Sequence, residues 1–289
     1  MVEKTLDEQV LRQWIGKTEA TTDTLSVAQA RLMQATLDQE PSLGTGDELP
    51  PAWHWAYFLS GVPMSGLGRD GHPALGEFLP PVALPRRMWA GGRLTFDHPV
   101  LLGETINKRS QVKDISIKHG KSGALVFVTV RHEYFGSSGD LRFTEEHDIV
   151  YREDPAPDAP APKRVAPPAT SVYSETITPS TVQLFRYSAL TFNSHRIHYD
   201  RDYCQQVEGY PGLIFHGPLT ATLLAGLAAK KSSQGRIASF AFRAVAPLYD
   251  TQAFTLHHDG GDLVWAETPE GSLAMKAETT THEYVIVEH

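Results

Sequence analysis

The segment that decides the fold is residues 218–229, which read PLTATLLAGLAA. Proline is tolerated in the first turn of a helix, where its missing N–H leaves no hydrogen bond unmade. Apolar residues occupy nearly every side of this predicted helix, so the helix must be buried. Downstream, residues 263–265, a turn at 268–272 and the segment from Leu273 onward predict a β-hairpin. A buried helix followed by strands indicates an antiparallel sheet wrapped around a helix, which is an α+β fold.

The composition of the chain limits the classes of function. The chain has 289 residues and a net charge of −8, so nucleic acid and anionic membranes are not the expected partners. A single cysteine, Cys204, cannot form an intrachain disulfide and fits a reducing compartment. The N-terminal segment is charged and has no apolar core, and no apolar run reaches the roughly 20 residues of a membrane span. We therefore expect a cytoplasmic protein that binds neither nucleic acid nor membranes.

A proline-rich linker divides the chain. Residues 154–170, DPAPDAPAPKRVAPPAT, alternate proline with alanine and charged residues, which is typical of an extended spacer. The segments on either side, 1–153 and 171–289, each have the size of an ordinary domain. We therefore predict two α+β halves joined by this linker, with sheets that are able to merge.

Short matches between the two halves indicate a duplication. Residues 128–134 (VTVRHEY) resemble residues 278–284 (ETTTHEY). Residues 94–96 (LTF), which lead to a proline at position 99, resemble residues 240–242 (FAF), which lead to a proline at position 247. Two matches in the same order and at nearly the same offset predict an internal repeat.

The densest group of candidate catalytic side chains lies just before the predicted buried helix. Asn193, His195 and His198 belong to a dense run of polar side chains set between apolar residues, which favours a cleft over a scattered surface position. Further along the chain, His216 and Gly217 precede the helix. A glycine there leaves a backbone N–H unpaired at the positive end of the helix dipole, where it can stabilise a thioester enolate. A nearby histidine can move a proton to or from water near neutral pH.

Residues 192–198 (FNSHRIH) and 215–217 (FHG) resemble the MaoC-like family of (R)-specific enoyl-CoA hydratases and hydroxyacyl-thioester dehydratases. The family motif runs Gly-Asp-x-Asn-Pro-aliphatic-His and is followed by an aliphatic-His-Gly helix start. Its last histidine falls on His198 and its oxyanion glycine on Gly217. Its aspartate is Asn193 here, its asparagine is His195 and its proline is Arg196. The resemblance implies a double hot-dog fold, in which an antiparallel sheet wraps a central helix in each half.

The resemblance extends over almost the whole chain and implies an activity. With residues 86–96 (RRMWAGGRLTF), the motif is similar to a two-hot-dog subgroup of mesaconyl-C4-CoA and itaconyl-CoA hydratases and mitochondrial hydroxyacyl-thioester dehydratases. It implies addition or removal of water across the 2,3 double bond of an enoyl thioester, with a short branched dicarboxylic acyl-CoA as substrate. The N-terminal half would then be a degenerate hot-dog that has lost catalysis and shapes the thioester tunnel.

Other functions remain open on the sequence alone. They are a 3-hydroxyacyl-ACP or -CoA dehydratase of fatty acid synthesis, a hot-dog thioesterase and a non-catalytic acyl-thioester binding protein. A thioesterase normally needs a carboxylate to activate water, and Asn193 argues against one. No cofactor is expected, because coenzyme A arrives as part of the substrate, and a homodimer is possible.

The resemblance assigns roles to individual residues. His198 is predicted to transfer the proton, and Gly217 to stabilise the developing enolate. Asn193 cannot take a proton, so we expect it to orient the attacking water. The predicted substrate-binding residues are His195, His216, Arg196, Arg86 and Arg87.

Several of these residues have competing interpretations. Arg196 fits the distal carboxylate of a dicarboxylic acyl group, but an ion pair with Asp200 or Asp202 is equally consistent with the sequence. His195 and His198 also have the spacing of metal ligands. Because 13 histidines make such spacings common and no cysteine or carboxylate completes the set, we expect no metal.

Two further segments have patterns that are found in binding sites. Residues 66–71 (GLGRDG) match a dinucleotide-binding glycine pattern, but no strand precedes them closely and no long helix can follow, so a loop is expected. Residues 53–57 (WHWAY) fit either an acyl or pantetheine channel or an aromatic patch in the core. The aromatic core is the favoured interpretation.

Overall fold

The computed structural model describes residues 6–120, 123–154, 163–168, 170–232 and 236–282. Ten strands lie in these residues: β1 Thr18–Thr24, β2 Arg86–Phe96, β3 Thr105–Gly120, β4 Gly123–Phe135, β5 Leu141–Arg152, β6 Tyr173–Ile177, β7 Ile237–Ala244, β8 Phe254–His258, β9 Leu263–Glu267 and β10 Leu273–Thr281. They form one sheet in the order β1-β3-β4-β5-β2-β7-β10-β9-β8-β6, in which every neighbouring pair is antiparallel.

Five α-helices accompany the sheet in the described residues: α1 Glu8–Arg12, α2 Val27–Thr36, α3 Thr181–Leu190, α4 Arg201–Gln206 and α5 Gly217–Lys231. Helix α5 is the buried helix that the sequence predicted, and it packs against β7, β8, β9 and β10. The predicted hairpin is also present, as β9 and β10. The α+β double hot-dog prediction is therefore confirmed.

The strand order repeats outward from the centre of the sheet. From the β2–β7 pair, one side continues through β5, β4, β3 and β1, and the other through β10, β9, β8 and β6. The predicted match of residues 94–96 with 240–242 therefore joins equivalent strands, β2 and β7. The match of residues 128–134 with 278–284 is wrong, because β4 and β10 occupy different places in this order. Residues 283 and 284 of that match lie outside the described residues.

Two adjacent glycines allow the halves to join. Gly91 lies on β2 opposite β7, and a Cβ atom there would lie 2.5 Å from the carbonyl oxygen of Phe242. At Gly92 a Cβ atom would lie 2.9 Å from both the Phe242 ring and the carbonyl oxygen of Glu146. Side chains at these positions would therefore force the central strands apart.

A continuous apolar core spans both halves. Leu219, Leu224 and other apolar residues of α5 are fully buried in it. Helix α2 adds Met33, which belongs to the same cluster as Ile106 and Phe143 of the N-terminal strands. Full burial of a leucine contributes roughly 1.5–3 kcal/mol, so this shared core holds the halves together.

The predicted linker lies between the two halves of the sheet. Strand β5 ends at Arg152 and β6 begins at Tyr173, but residues 155–162 and 169 lie outside the described residues. The boundaries at 153, 154–170 and 171 therefore stay predictions. In the described part of the chain, none of the helices has the length and apolarity that a membrane crossing requires.

Candidate active site

The loop after α3 carries the predicted catalytic residues. The backbone turns sharply at Phe192, whose φ is +48°, and the N–H of Asn193 donates to the carbonyl of Ser188 at 2.8 Å. The Asn193 side-chain oxygen accepts the backbone N–H of His195 at 3.0 Å. Such a bond from an asparagine to its own loop fixes a turn, and a short 3₁₀ helix, Arg196–His198, follows it. The Asn193 oxygen therefore holds the shape of the loop.

His198 is buried with one ring nitrogen engaged. Its Nδ1 lies 2.9 Å from the carbonyl oxygen of Ile214 and donates to it, which leaves Nε2 as an acceptor. Burial lowers the pKa of His198 to about 4, although the bond to Ile214 opposes that shift. The imidazole is therefore neutral at pH 7 and able to accept a proton through Nε2.

His216 stacks on His198 and brings the start of α5 to the same place. The two ring centroids are 3.7 Å apart, and Nε2 of His216 bonds the Ser188 hydroxyl at 2.8 Å. Nδ1 of His216 is buried and has no hydrogen-bond partner in the described residues. Burial, followed by the charges of His198 and His195, lowers the pKa of His216 well below its usual value. His216 is therefore a neutral spacer between His198 and the helix start.

Gly217 begins α5 directly after His216. The first N–H groups of a helix have no partner within the helix, and no bond from the Gly217 N–H is found in the part of the chain that the structure describes. A Cβ atom at Gly217 would meet nothing within 4 Å, so the space beside this residue is open. A carbonyl oxygen can therefore approach this N–H at the positive end of the helix dipole.

A loop of the N-terminal half, which the sequence did not connect with the site, docks on the catalytic loop. The backbone N–H of Arg196 donates to the Asp70 carbonyl at 2.8 Å, and the Ser194 hydroxyl donates to the Gly71 carbonyl at 2.5 Å. Gly71 has a φ of +87°, and a Cβ atom there would lie 2.0 Å from the Ser194 carbonyl oxygen. Only glycine fits this position.

The docked loop brings a carboxylate and a fourth imidazole to the site. Oδ2 of Asp70 accepts from Nδ1 of His72 at 2.9 Å, and Oδ1 accepts the His72 backbone N–H at 3.0 Å. The His72 ring packs on His195 with centroids 4.1 Å apart, and His195 packs on His198 at 5.4 Å. Four histidines therefore lie in one row, and Asp70 supplies a carboxylate at its His72 end.

The pKa values of this pair follow from burial and mutual contact. Burial alone would raise the pKa of Asp70, but the hydrogen bond and charge of His72 outweigh it and hold the pKa below its usual value. Burial lowers the pKa of His72, and the bond to Asp70 opposes that shift. His72 is therefore neutral near pH 7, as His198 is, and the Asp70 carboxylate is the ionised group of the pair.

The sequence signal for this pair was weak. Residues 66–71 form a loop, as predicted, and the loop carries an acid and a base two positions apart at Asp70 and His72. No spacing rule links that loop to Asn193, more than 120 positions away, because only tertiary packing brings them together.

The residues that could hold a metal here differ from the His195 and His198 pair whose spacing suggested one in the sequence. One ligand atom each of Asp70, His72 and His195 lies within 4.8 Å of the others. The Arg87 guanidinium is close enough to lower the pKa of both histidines after burial has done so. A fixed positive charge beside the group disfavours a second cation there.

Two of the three predicted substrate-binding arginines are occupied by protein groups. Arg196 bonds Asp200 through Nε at 3.0 Å and Nη2 at 2.7 Å, so the predicted structural ion pair is present. Arg86 is buried and contacts Asp154 at 2.8 Å and Glu208 at 3.2 Å. The sequence did not anticipate these partners, and the geometry does not support a substrate role for Arg86.

Arg87 differs from both. It forms no ion pair within the described residues, and it lines a cavity of about 400 Å³ together with Asp70, His72 and Tyr151. Of the three predicted substrate-binding arginines, it is the one that remains available to an anionic ligand.

The aromatic segment of the N-terminal half lies in the core. A 3₁₀ helix, Trp53–Ala56, points His54 and Trp55 at the buried Glu145 carboxylate, at 3.1 and 2.8 Å. The aromatic core interpretation of this segment is therefore confirmed. Cys204 is also buried, with its Sγ 3.0 Å from the Ile197 carbonyl oxygen, as expected for an unreactive thiol.

Comparison with known proteins points to acyl-thioester chemistry. Residues 52–250 match the family model of hydroxyacyl-thioester dehydratase type 2. Mesaconyl-C(4)-CoA hydratase of Chloroflexus aurantiacus is 46% identical over 91% of this chain and 95% of that protein. The mitochondrial hydroxyacyl-thioester dehydratase type 2 of Schizosaccharomyces pombe is 30% identical over 60% of this chain and 65% of that protein.

Solved structures support the fold. A MaoC-like dehydratase superposes with a TM-score of 0.66 at 14% identity, covering 94% of this chain and all of that one. A Mycobacterium tuberculosis protein described as a double hot-dog fold superposes with a TM-score of 0.55 at 14% identity, covering 92% and 94%. At this level of identity the likeness concerns the architecture alone.

Proposed function

Since this chain belongs to the hydroxyacyl-thioester dehydratase type 2 family, we propose that it adds water to the 2,3 double bond of a short dicarboxylic enoyl-CoA, or removes it. A mesaconyl-C4-CoA type of substrate is preferred, because the relative at 46% identity carries that name over nearly its whole length. The observation that carries the proposal is the neutral His198 imidazole, with a free Nε2, beside the open N–H of Gly217.

The proposed chemistry begins at the thioester carbonyl. The Gly217 N–H donates a hydrogen bond to the carbonyl oxygen and stabilises the enolate that forms there. Nε2 of His198 takes a proton from water while the water oxygen bonds the β-carbon. The double-bond electrons move toward the thioester oxygen, and His198 then returns the proton to the α-carbon. Asn193 keeps its amide nitrogen free to hold the water, because only its oxygen is used within the loop.

The Asp70–His72 pair compensates for the missing carboxylate at position 193. Asparagine cannot share a proton, whereas Asp70 stabilises a positive charge on the imidazole row from the other half of the molecule. The N-terminal half therefore contributes charge to the site as well as shape, although it carries no copy of the catalytic motif.

The remaining features of the function follow from this reaction. It needs no metal or redox cofactor, and coenzyme A enters with the substrate. A thioesterase is less suitable, because no carboxylate stands at position 193 to activate water against the carbonyl carbon. A cytoplasmic location and a homodimer are proposed on the same grounds as from the sequence.

A panel of four thioesters tests the function: mesaconyl-C4-CoA, itaconyl-CoA, crotonyl-CoA and a long-chain enoyl-CoA. We expect loss of the enoyl absorbance without release of free thiol, fastest with the dicarboxylic substrates. His198→Ala should lower kcat by roughly 10²–10⁴-fold, as loss of a general base does. His98→Ala, which changes an exposed histidine outside the site, is the matched control.

Each alternative has its own outcome in this panel. Thiol release in step with substrate loss would indicate a thioesterase. Activity confined to long chains would favour a fatty acid dehydratase, and an unchanged His198→Ala variant would remove the proposed base. A folded wild-type protein that acts on none of the four would contradict the hydratase proposal itself.

A further inference from the structure

Arg86 and Arg87 are neighbours on β2 with opposite surroundings. Successive side chains of a strand point to opposite faces, and the two guanidinium groups have different partners. Arg86 is closed in by Asp154 and Glu208, as described above. Arg87 is half-buried and has no carboxylate within ion-pair distance in the described ranges. The strand therefore aims one unpaired cation at the cavity beside the imidazole row.

Tyr151 is the second polar group that lines this cavity and lacks a hydrogen-bond acceptor in the described residues. Its side chain is fully buried, and its hydroxyl forms no hydrogen bond of ordinary geometry in the described residues. Burial raises the pKa of Tyr151, and the charge and side-chain contact of Arg87 oppose that rise, so Arg87 approaches the hydroxyl oxygen. The hydroxyl proton still has no acceptor in the described residues. A buried hydroxyl without a partner is costly, so a bound ligand that accepts its proton would stabilise the site.

The surroundings restrict which ligand group fits. Burial is the main cause that lowers the pKa of both His72 and His195, and the Arg87 charge adds to both shifts, so both are neutral near pH 7. Asp70 is already bonded to His72. Arg87 is therefore the positive group left over, and its planar fork matches a carboxylate through two parallel hydrogen bonds.

We infer that Arg87, together with the Tyr151 hydroxyl, binds the free carboxylate of a dicarboxylic acyl thioester and selects such substrates over neutral ones. The inference rests on the proposed function and names a recognition residue for it. In a methylfumaryl thioester the free carboxylate is attached to the carbon that receives water. Holding that carboxylate at Arg87 therefore holds the reacting carbon beside the imidazole row.

Substrates with and without the carboxylate test this inference. Crotonyl-CoA keeps the 2,3 double bond and the methyl group of mesaconyl-C4-CoA and lacks its carboxylate. For Arg87→Leu we expect kcat/KM to fall by roughly 100-fold with mesaconyl-C4-CoA, as loss of a desolvated charge pair does, and by less than about threefold with crotonyl-CoA. Arg87→Lys, which keeps the charge and loses the fork, should recover part of the loss.

A binding measurement separates recognition from chemistry. Succinyl-CoA and butyryl-CoA have no double bond to hydrate, and they differ by a carboxylate against a methyl group. Titration calorimetry should show that Arg87→Leu weakens succinyl-CoA by roughly 100-fold and leaves butyryl-CoA nearly unchanged. Arg93→Leu removes a paired arginine from the exposed face of the same strand and should leave both affinities unchanged.

Several results would overturn the inference. Equal losses for both members of each pair would make Arg87 a general structural or catalytic residue. Unchanged succinyl-CoA affinity in a folded Arg87→Leu protein would place the carboxylate elsewhere. These failures differ from failure of the proposed function, in which the wild-type protein hydrates neither mesaconyl-C4-CoA nor crotonyl-CoA.

Discussion

Two buried clusters of histidine and carboxylate lie in the two halves of the molecule, and they differ in how completely their groups are paired. In the N-terminal half, Glu145 accepts bonds from His54 at 3.1 Å, Trp55 at 2.8 Å and Tyr134 at 2.9 Å. In the C-terminal half, Nδ1 of His216 has no partner in the described residues, and Nε2 of His198 accepts no bond there.

The difference separates a structural cluster from the candidate catalytic cluster. Burial would raise the pKa of Glu145, but the charge and hydrogen bond of His54 outweigh it and hold the pKa well below its usual range. A fully satisfied network in a low dielectric rigidifies the core. A substrate and a water molecule instead need polar atoms that have no hydrogen-bond partner in the protein and lie beside open space. The carboxylate of the C-terminal cluster is that of Asp70, which belongs to the N-terminal half.

Removing the Glu145 carboxylate should disrupt the structural cluster and cause the largest loss of stability among the changes considered. Glu145→Ala leaves three buried donors without an acceptor, and we expect the free energy of unfolding to fall by roughly 3–5 kcal/mol. Urea unfolding measures this change. The kcat of the protein that remains folded should stay within about threefold of wild type, because Glu145 makes no bond to the imidazole row.

Glu145→Gln is the matched control, since it keeps one acceptor oxygen and the side-chain volume. It should lose clearly less stability than Glu145→Ala. A large fall in kcat with unchanged stability would contradict the division, because it would make the Glu145 cluster part of the chemistry.

A methyl group at Gly71 should separate the Asp70 carboxylate from the loop at residues 193–198. The new Cβ atom would lie 2.0 Å from the Ser194 carbonyl, so the loop must move away. We expect kcat of Gly71→Ala to fall by roughly 10–100-fold, as a shift of about 1 Å in catalytic geometry does. Steady-state hydration rates measure this loss, and the Glu145 cluster should keep its stability.

Gly139→Ala controls for backbone strain. Gly139 has the same φ of +87° but nothing within 4 Å of its Cβ position. Gly139→Ala should lose stability through backbone strain and keep the kcat of the wild-type protein. Equal losses of activity in both variants would mean that docking of the 70–72 loop is unimportant.

Acid should destabilise the protein partly through His198, with a smaller effect. Its folded pKa of about 4 lies below the ordinary value of about 6.5, so the unfolded chain binds a proton first as pH falls. Stability is therefore lost between about pH 6.5 and 4 and is unaffected by this group above that window. From pH 7 to pH 5, His198→Gln should lose roughly 2 kcal/mol less than wild type in urea unfolding. Equal losses in both proteins would mean that His198 is not held neutral.

Local sequence predicted the buried helix and proposed the centre of the candidate site. The apolar run at 218–229 predicted α5 because a helix without a polar face must be buried, and the histidine–glycine start came with it. The motif at 193–198 predicts His198 as the base from residues that are close in sequence, and the role of His198 stays a prediction. Helix α5 could be predicted because its physical cause acts over a few residues.

Tertiary packing alone decided which charges meet at the site. Three predicted substrate-binding arginines looked alike in the sequence, but packing gave Arg86 and Arg196 carboxylate partners and left Arg87 unpaired in the described residues. The same packing brought Asp70 to the row of histidines through a loop for which the sequence predicted no role in the site. A side chain's partners depend on which distant segments fold against it, and no local pattern records that.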